Sequence, residues 1–151
     1  MLRQAFTDRL KQALKARDAR TVSTTRLILA GLKDRDIAAR GQGRPEGLSE
    51  PELQRMLQAM VKQRRESIAL FEQGNRADLA QQEREEIAVI ESFLPRQLEE
   101  SEIEAAAAAV IAGTGAAGIN DMGRVMAALR ERHAGVIDFS QAGIIVKRLL
   151  G

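Results

Sequence analysis

Apolar residues recur at helical spacing along almost the whole chain, and no stretch alternates with the period of two that a half-buried β-strand requires. Three prolines and a few glycine-containing segments interrupt this pattern. The interruptions delimit seven amphipathic helices. The first five span about residues 2–17, 21–39, 49–73, 76–93 and 99–112, and the last two follow Asp121 and Asp138. The sequence therefore predicts an all-α fold.

The chain is predicted to divide near Pro95. The residue before a proline is pushed out of helical geometry, so Leu94-Pro95 ends the fourth helix. Four helices precede this point and three follow it. We therefore expect an N-terminal helical domain over residues 1–94 and a three-helix C-terminal domain over residues 97–151.

Capping patterns place several helix ends. Ser49 and Glu52 match the capping box, in which each side chain binds the backbone N–H of the other residue. Gly74-Asn75 supplies a stop for the third helix and a cap for the fourth. Asp138 is predicted to cap the last helix. The apolar run Leu27-Ile28-Leu29 predicts that the second helix is the most buried.

Composition excludes several kinds of reactive site. Cysteine is absent, which removes disulfides, thiolate nucleophiles and thiolate metal sites. His133 is the single histidine, so an all-histidine zinc site is excluded. Trp and Tyr are absent, which argues against aromatic platforms for stacking bases. We predict no catalytic residue, no metal and no cofactor.

The N-terminal segment and the hydropathy pattern predict the location. MLRQAFTDRL is amphipathic and carries charges, unlike a secretory signal peptide. No apolar run approaches the roughly 20 residues of a membrane span. We expect a cytoplasmic protein that does not enter a membrane.

The net charge of +2 hides a gradient along the chain. Residues 1–75 carry 15 basic and 9 acidic residues, a net charge of +6, whereas residues 76–100 carry 3 and 7, a net charge of −4. Eight of these basic side chains could form one basic face: Lys11, Lys15, Arg17, Arg20 and Arg26, with the cluster Lys62, Arg64 and Arg65. They suit phosphate contacts, which carry no base specificity. A solvated helix surface is the preferred interpretation, since Asp18, Asp34 and Asp36 are interleaved with them.

Arg64 lies in the middle of the apolar face of the third helix. A guanidinium there needs a carboxylate to offset several kcal/mol of desolvation. The turn at residues 74–75 folds the fourth helix back antiparallel, which brings Glu83 and Glu86 opposite Arg64. We predict an ion pair between Arg64 and one of them. A structural pair is preferred over a ligand site, because buried pairs are more often structural.

The segment Gly113 to Gly118 reads GTGAAG and matches the GxGxxG pattern of dinucleotide-binding loops. That pattern binds pyrophosphate when it follows a strand and opens a helix. Here it follows a helix and no βαβ pattern surrounds it. We interpret the segment as a flexible loop between helices.

Several of these segments together resemble the YqeY-like family, and the resemblance covers essentially the whole chain. They are MVKQRRESI (60–68), FE (71–72), GNRADLA (74–80), FLPRQL (93–98), DMGRVM (121–126) and VKRLL (146–150). This family is related to the C-terminal tail of the GatB subunit of the tRNA-dependent amidotransferase. The resemblance implies an all-helical protein of two lobes.

The GatB tail helps to recognise the tRNA body, while the reactions of the amidotransferase occur in parts that this chain lacks. The resemblance therefore implies a binding role and supplies no active-site residues. It adds Arg124, Lys147 and Arg148 in matching motifs to the cations Lys62 and Arg65. These five residues are the candidate nucleic-acid contacts.

The loop between the last two helices departs from the family pattern. It is usually rich in Lys, Arg and Gly, but here residues 134–140 read AGVIDFS, without a basic residue. Val136, Ile137 and Phe139 either pack inward or meet a protein partner.

The leading hypothesis is a non-catalytic helical module that binds tRNA or a tRNA-processing protein. The alternatives are an accessory subunit of a glutamine-dependent amidotransferase, a carbon–nitrogen ligase that would act only in a complex, and a protein-binding adaptor.

Overall fold

The computed structural model covers residues 1–151 and confirms the all-α fold, with no strand. The contacts divide the chain into two compact units, unit 1 (Met1–Leu94) and unit 2 (Pro95–Gly151). Unit 1 contains α1 (Leu2–Ala16), α2 (Ala19–Gly41), α3 (Glu50–Gln73) and α4 (Ala77–Glu91). Unit 2 contains α5 (Glu100–Thr114), a 3₁₀ turn (Ile119–Asp121), α6 (Met122–Arg132) and α7 (Phe139–Leu150).

The core of unit 1 gathers one apolar stripe from each of its four helices. Phe6 of α1, Ile28 of α2, Leu57 of α3 and Ile90 of α4 are completely buried. Phe93 closes one end, with its ring perpendicular to that of Phe6 at a centroid distance of 4.9 Å. The four helices therefore share a single interior.

Two ion pairs show that α3 and α4 run antiparallel. Arg65 pairs with Glu91 at 3.0 Å, and Glu72, further along α3, pairs with Arg84, earlier on α4. The connecting turn contains Asn75, which has a left-handed φ of 57° and does not cap α4. The prediction for Asn75 was wrong in that respect, since the N-cap residue is Arg76 and no side chain caps the helix.

The starts of α2 and α3 are fixed by side-chain caps. The capping box of Ser49 and Glu52 is confirmed. Asp18, taken for a charge on a solvated face, accepts hydrogen bonds from the Thr21 N–H at 3.2 Å and the Thr21 hydroxyl at 2.6 Å. Asp18 therefore separates α1 from α2 by starting the second helix.

α2 contains more buried residues than any other helix, as predicted, but the apolar run supplies only one of the seven. Ile28 is fully buried, but Leu27 is 49% exposed. The buried face instead carries three threonines, and the hydroxyls of Thr24 and Thr25 have no hydrogen-bond partner. An apolar run shows which part of a helix is hydrophobic, but the positions of the adjacent helices determine which face of it is buried.

Asp36 was expected on a solvated surface and is in fact 5% exposed. The Arg3 guanidinium donates to both of its carboxylate oxygens, at 2.6 and 2.9 Å, and the Leu48 N–H donates to it at 2.9 Å. Gly47, with a left-handed φ of 75°, passes so close that a Cβ would overlap the carboxylate. The contact ties the loop between α2 and α3 to the N-terminus of α1.

Unit 2 is a three-helix cluster with an aliphatic interior. Ile103 and Val110 of α5, Leu129 of α6 and Val146 of α7 are fully or almost fully buried. Asp138 caps α7 as predicted, accepting from the N–H groups of residues 140 and 141.

The segment 113–118 is only partly a loop. Gly113 and Thr114 form the last turn of α5, and the Thr114 hydroxyl donates to the Val110 carbonyl at 2.8 Å. Gly115 ends the helix with a φ of 69°. The loop prediction was therefore wrong for Gly113 and Thr114. A glycine can still form helical hydrogen bonds, because these bonds use only backbone atoms.

No single helix has the length and apolar composition of a membrane span, although α5 and the segment Ile119–Arg132, bent by 96°, meet that test jointly.

Candidate functional site

Arg64 and Glu86 form a buried contact between α3 and α4. Arg64 Nε donates to Glu86 Oε2 at 2.9 Å, and Arg64 Nη1 donates to the Met60 carbonyl at 3.2 Å. Glu83 Oε2 lies 3.9 Å from the same Nε. Only 12% of the Arg64 side chain and 10% of the Glu86 side chain are exposed. The structure thus brings together all three residues of the predicted ion pair.

A second arginine approaches Glu86 from α2. Arg20 Nη1 lies 3.7 Å from Glu86 Oε1, and Arg20 Nε donates to Glu85 Oε2 at 3.2 Å. Glu86 therefore lies between two guanidinium groups, one buried and one partly exposed. This arrangement links three helices through one carboxylate.

Glu83 is electrostatically distinct from its neighbours. Burial raises the pKa of its carboxyl, and the nearby Glu86 carboxylate raises it further, although Arg64 opposes the shift. A carboxyl of raised pKa is suited to proton transfer only beside a reacting group. Unit 1 contains no histidine, since His133 belongs to unit 2.

An open groove of about 480 Å³ lies between α2 and α4, directly beside Glu86. Its walls are Arg20, Ser23, Arg26 and Leu27 from α2 and Gln82 and Glu86 from α4. We call this the α2–α4 groove. Arg26 is exposed and has no ion-pair or hydrogen-bond partner. The groove therefore offers one uncompensated positive charge.

The three arginines among the five candidate nucleic-acid contacts form ion pairs. Arg65 binds Glu91 at 3.0 Å, Arg124 binds Asp121 at 3.0 Å, and Arg148 binds Glu104. Lys62 is exposed on α3, and Lys147 is exposed on α7. Lys62 and Arg65 belong to unit 1, and Arg124, Lys147 and Arg148 belong to unit 2. Carboxylate partners therefore reduce the positive charge that the three arginines present.

The sequence analysis missed a row of cations on α2. Arg26, Lys33 and Arg40 are exposed and repeat every seven residues, so they lie along one side of the helix at intervals of about 10 Å. We call them the α2 row. None of the three forms an ion pair, and Arg40 donates only to the Pro45 carbonyl, at 3.3 Å. The seven-residue spacing was visible in the sequence, but the missing partners were not.

The remaining motifs do not form a reactive site. The Asp121 carboxylate accepts from the N–H groups of Ala117 and Gly118. In a dinucleotide-binding GxGxxG loop, such N–H groups would instead bind a phosphate. These two bonds also hold the pKa of Asp121 below its usual value. His133 is the C-cap of α6. No three His, Cys, Asp or Glu side chains converge as metal ligands would.

The loop at residues 134–140 packs inward. Ile137 is fully buried, and the Val136 carbonyl accepts from the Leu98 N–H at 2.8 Å. The Arg130 guanidinium lies 5.4 Å from the centre of the Phe139 ring. Ile137 therefore packs inward, whereas Val136 and Phe139 are partly exposed.

A sequence model of the family described as "Yqey-like protein" matches residues 3–150. The chain belongs to the Yqey-like family. The resemblance found in the sequence is thereby confirmed over nearly the full length of this Yqey-like chain.

Two curated proteins are similar to this Yqey-like chain. Both are named "Altered inheritance of mitochondria protein 41, mitochondrial". The one from Lachancea thermotolerans is 35% identical over 95 residues, covering 63% of this chain and 49% of the relative. The one from Eremothecium gossypii is 34% identical over 98 residues, covering 60% of this chain and 51% of the relative. The chain spans about half the length of the curated relatives that it matches.

These names overturn one prediction. The expectation of a cytoplasmic protein was wrong, since both similar proteins are named as mitochondrial. The prediction compared the N-terminal segment with secretory signal peptides only.

Proposed function

We propose that this Yqey-like protein is a non-catalytic module that binds tRNA through its phosphate backbone. The α2 row is the observation that carries the proposal. Three exposed cations without carboxylate partners lie along one side of a helix, in the half of the chain where the basic surplus is concentrated. Such a surface attracts a polyanion with little dependence on base sequence.

The resemblance to the GatB tail supports tRNA as the partner. The names of the two similar proteins print no ligand or reaction, so they add nothing to this choice. Binding without chemistry is consistent with the position of Glu83, whose carboxylate faces the Arg64 guanidinium at 3.9 Å.

Electrophoretic mobility shift with tRNA over a series of salt concentrations tests the proposal. We expect binding at low salt that weakens linearly in a plot of log affinity against log salt concentration, with a slope near −0.9 for each phosphate contact on duplex regions. Three contacts from the α2 row predict a slope of about −3. Failure to bind tRNA at low salt, or an affinity that does not change with salt concentration, would contradict the proposal.

A substitution in the α2 row provides a second test of tRNA binding. Lys33→Ala removes the central cation of the row, and we expect the slope to become shallower by about one unit. Arg35→Ala is the matched control, because Arg35 is exposed on the same helix but lies half a turn away from Arg26. Equal losses in the two variants would show that only overall charge matters.

A further inference from the structure

We propose that the α2–α4 groove is where an RNA strand enters the binding surface, with one phosphodiester against Arg26 and Arg20. The inference rests on the proposed function and assigns the contact to a particular groove. Arg26 belongs both to the groove and to the α2 row, so it joins the two features.

The donors of the groove suit a phosphate. The Arg26 guanidinium has no partner, and the Gln82 carboxamide stands across the groove on α4. The Ser23 hydroxyl donates to the Arg20 carbonyl at 3.1 Å, so it contributes no donor to the phosphate. Guanidinium groups bind phosphate oxygens in a two-pronged geometry that an amine does not provide.

Glu86 is the one carboxylate in the groove wall, and its charge is already compensated. Arg64 binds it from the interior and Arg20 approaches it from the groove side. The buried pair therefore keeps Glu86 from repelling an anion.

Leu27 indicates a strand in preference to an isolated phosphate ion. Its side chain is 49% exposed and lines the same groove as the two arginines of α2. An apolar surface beside cations suits a ribose or base attached to the phosphate. The α2 row then continues from Arg26 at intervals of about 10 Å, and only a chain of phosphates would contact all three of its cations.

Arg26→Ala compared with Arg35→Ala tests the groove directly. Each variant removes one exposed, unpaired arginine from α2, and the two positions lie on opposite sides of the helix. We expect Arg26→Ala to weaken tRNA binding severalfold and to make the salt slope shallower by about one unit, with Arg35→Ala unchanged. Circular dichroism melting confirms that both variants remain folded.

The outcomes separate the two proposals. If wild-type protein binds tRNA and Lys33→Ala weakens that binding, but Arg26→Ala and Arg35→Ala behave alike, the groove assignment is overturned and the proposed function stands. If wild-type protein does not bind, both are overturned.

Glu85→Gln provides a test of opposite sign. Glu85 is half exposed and holds Arg20 at 3.2 Å, so its neutralisation frees that guanidinium for the phosphate. We expect tighter binding, by severalfold, and a steeper salt slope. Glu46→Gln is the control, since it removes an exposed carboxylate paired with Arg44 in the loop after α2, beyond the far end of the helix from Arg20. Equal effects of the two variants would show that Arg20 does not contact the RNA.

Discussion

The two units have different interiors. All five buried polar side chains, three threonines with Asp36 and Glu86, belong to unit 1, whereas every buried side chain of unit 2 is apolar. Two of the five form ion pairs with arginines from other helices. Directional contacts therefore set the alignment of the helices in unit 1. The interior of unit 2 relies on aliphatic packing, which tolerates small changes of direction.

The largest expected effect is that of Asp36→Ala. Its loss leaves the partly buried Arg3 and the Leu48 N–H without their partner, and we expect the free energy of unfolding to fall by about 3 kcal/mol. Urea denaturation measures it. Asp138→Ala in unit 2 is the comparison, because it removes only a helix cap, worth about 1 kcal/mol. Equal losses would contradict the contrast between the units.

Arg64→Met is expected to lower the free energy of unfolding by about 2 kcal/mol, because Glu86 keeps only the more distant Arg20 as a partner. The double variant Arg64→Met/Glu86→Leu should recover most of this loss, since apolar residues of similar size often replace buried pairs without cost. A double variant less stable than either single one would show that the pair stabilises unit 1 by more than its desolvation costs.

Acid should act on unit 1 through Asp36. The Arg3 guanidinium lowers the pKa of that carboxyl to about 2, so its contribution to stability is complete above pH 4 and is lost as the pH falls toward 2. In unit 2, Arg96 likewise lowers the pKa of Glu102 to about 2, but 71% of the Arg96 side chain is exposed and salt screens the pair.

Hydrogen exchange between pH 4 and pH 2, with and without 1 M salt, compares the two units. We expect high salt to reduce the acid dependence of unit 2 and to leave that of unit 1. Asp36→Asn should abolish the difference, and persistence of the acid dependence in that variant would assign it to another group.

The smallest expected effect has the opposite sign. Thr25→Val removes a fully buried hydroxyl that has no hydrogen-bond partner, and we expect a gain in stability of about 1 kcal/mol, seen as a higher melting temperature. Thr21→Val is the matched control on the same helix. It should be destabilising, because the Thr21 hydroxyl donates to Asp18 at 2.6 Å. A Thr25→Val variant of lower melting temperature would contradict the unpaired state of that hydroxyl.

Local patterns in the sequence predicted most helix ends. Ser49 with Glu52 and Asp138 each act within one helical turn, so their hydrogen bonds are determined by neighbouring residues. Arg64 was also predictable, because a cation in an apolar stripe requires a carboxylate and an antiparallel turn supplies a register. The 3₁₀ turn at residues 119–121 was missed, since nothing in its sequence distinguishes it from a loop.

Contacts between distant residues were not predictable in the same way. Asp36 looked like one acid among several on a charged helix, and its partner Arg3 lies 33 residues away. The pairing depends on how the loop at residues 42–49 returns to α1. Arg26 was recognised as basic, but its place in a groove depends on where α4 lies beside α2.

The close passage of Gly47 against Asp36 has a consequence for variation at that position. Gly47 is a loop residue without a side chain, yet any other amino acid would have to displace a carboxylate held by three donated hydrogen bonds and adopt an unfavourable backbone angle. A saturation mutagenesis survey of this gene would therefore show position 47 to be as intolerant as the aliphatic interior, while its exposed neighbour Glu46 would accept almost every replacement.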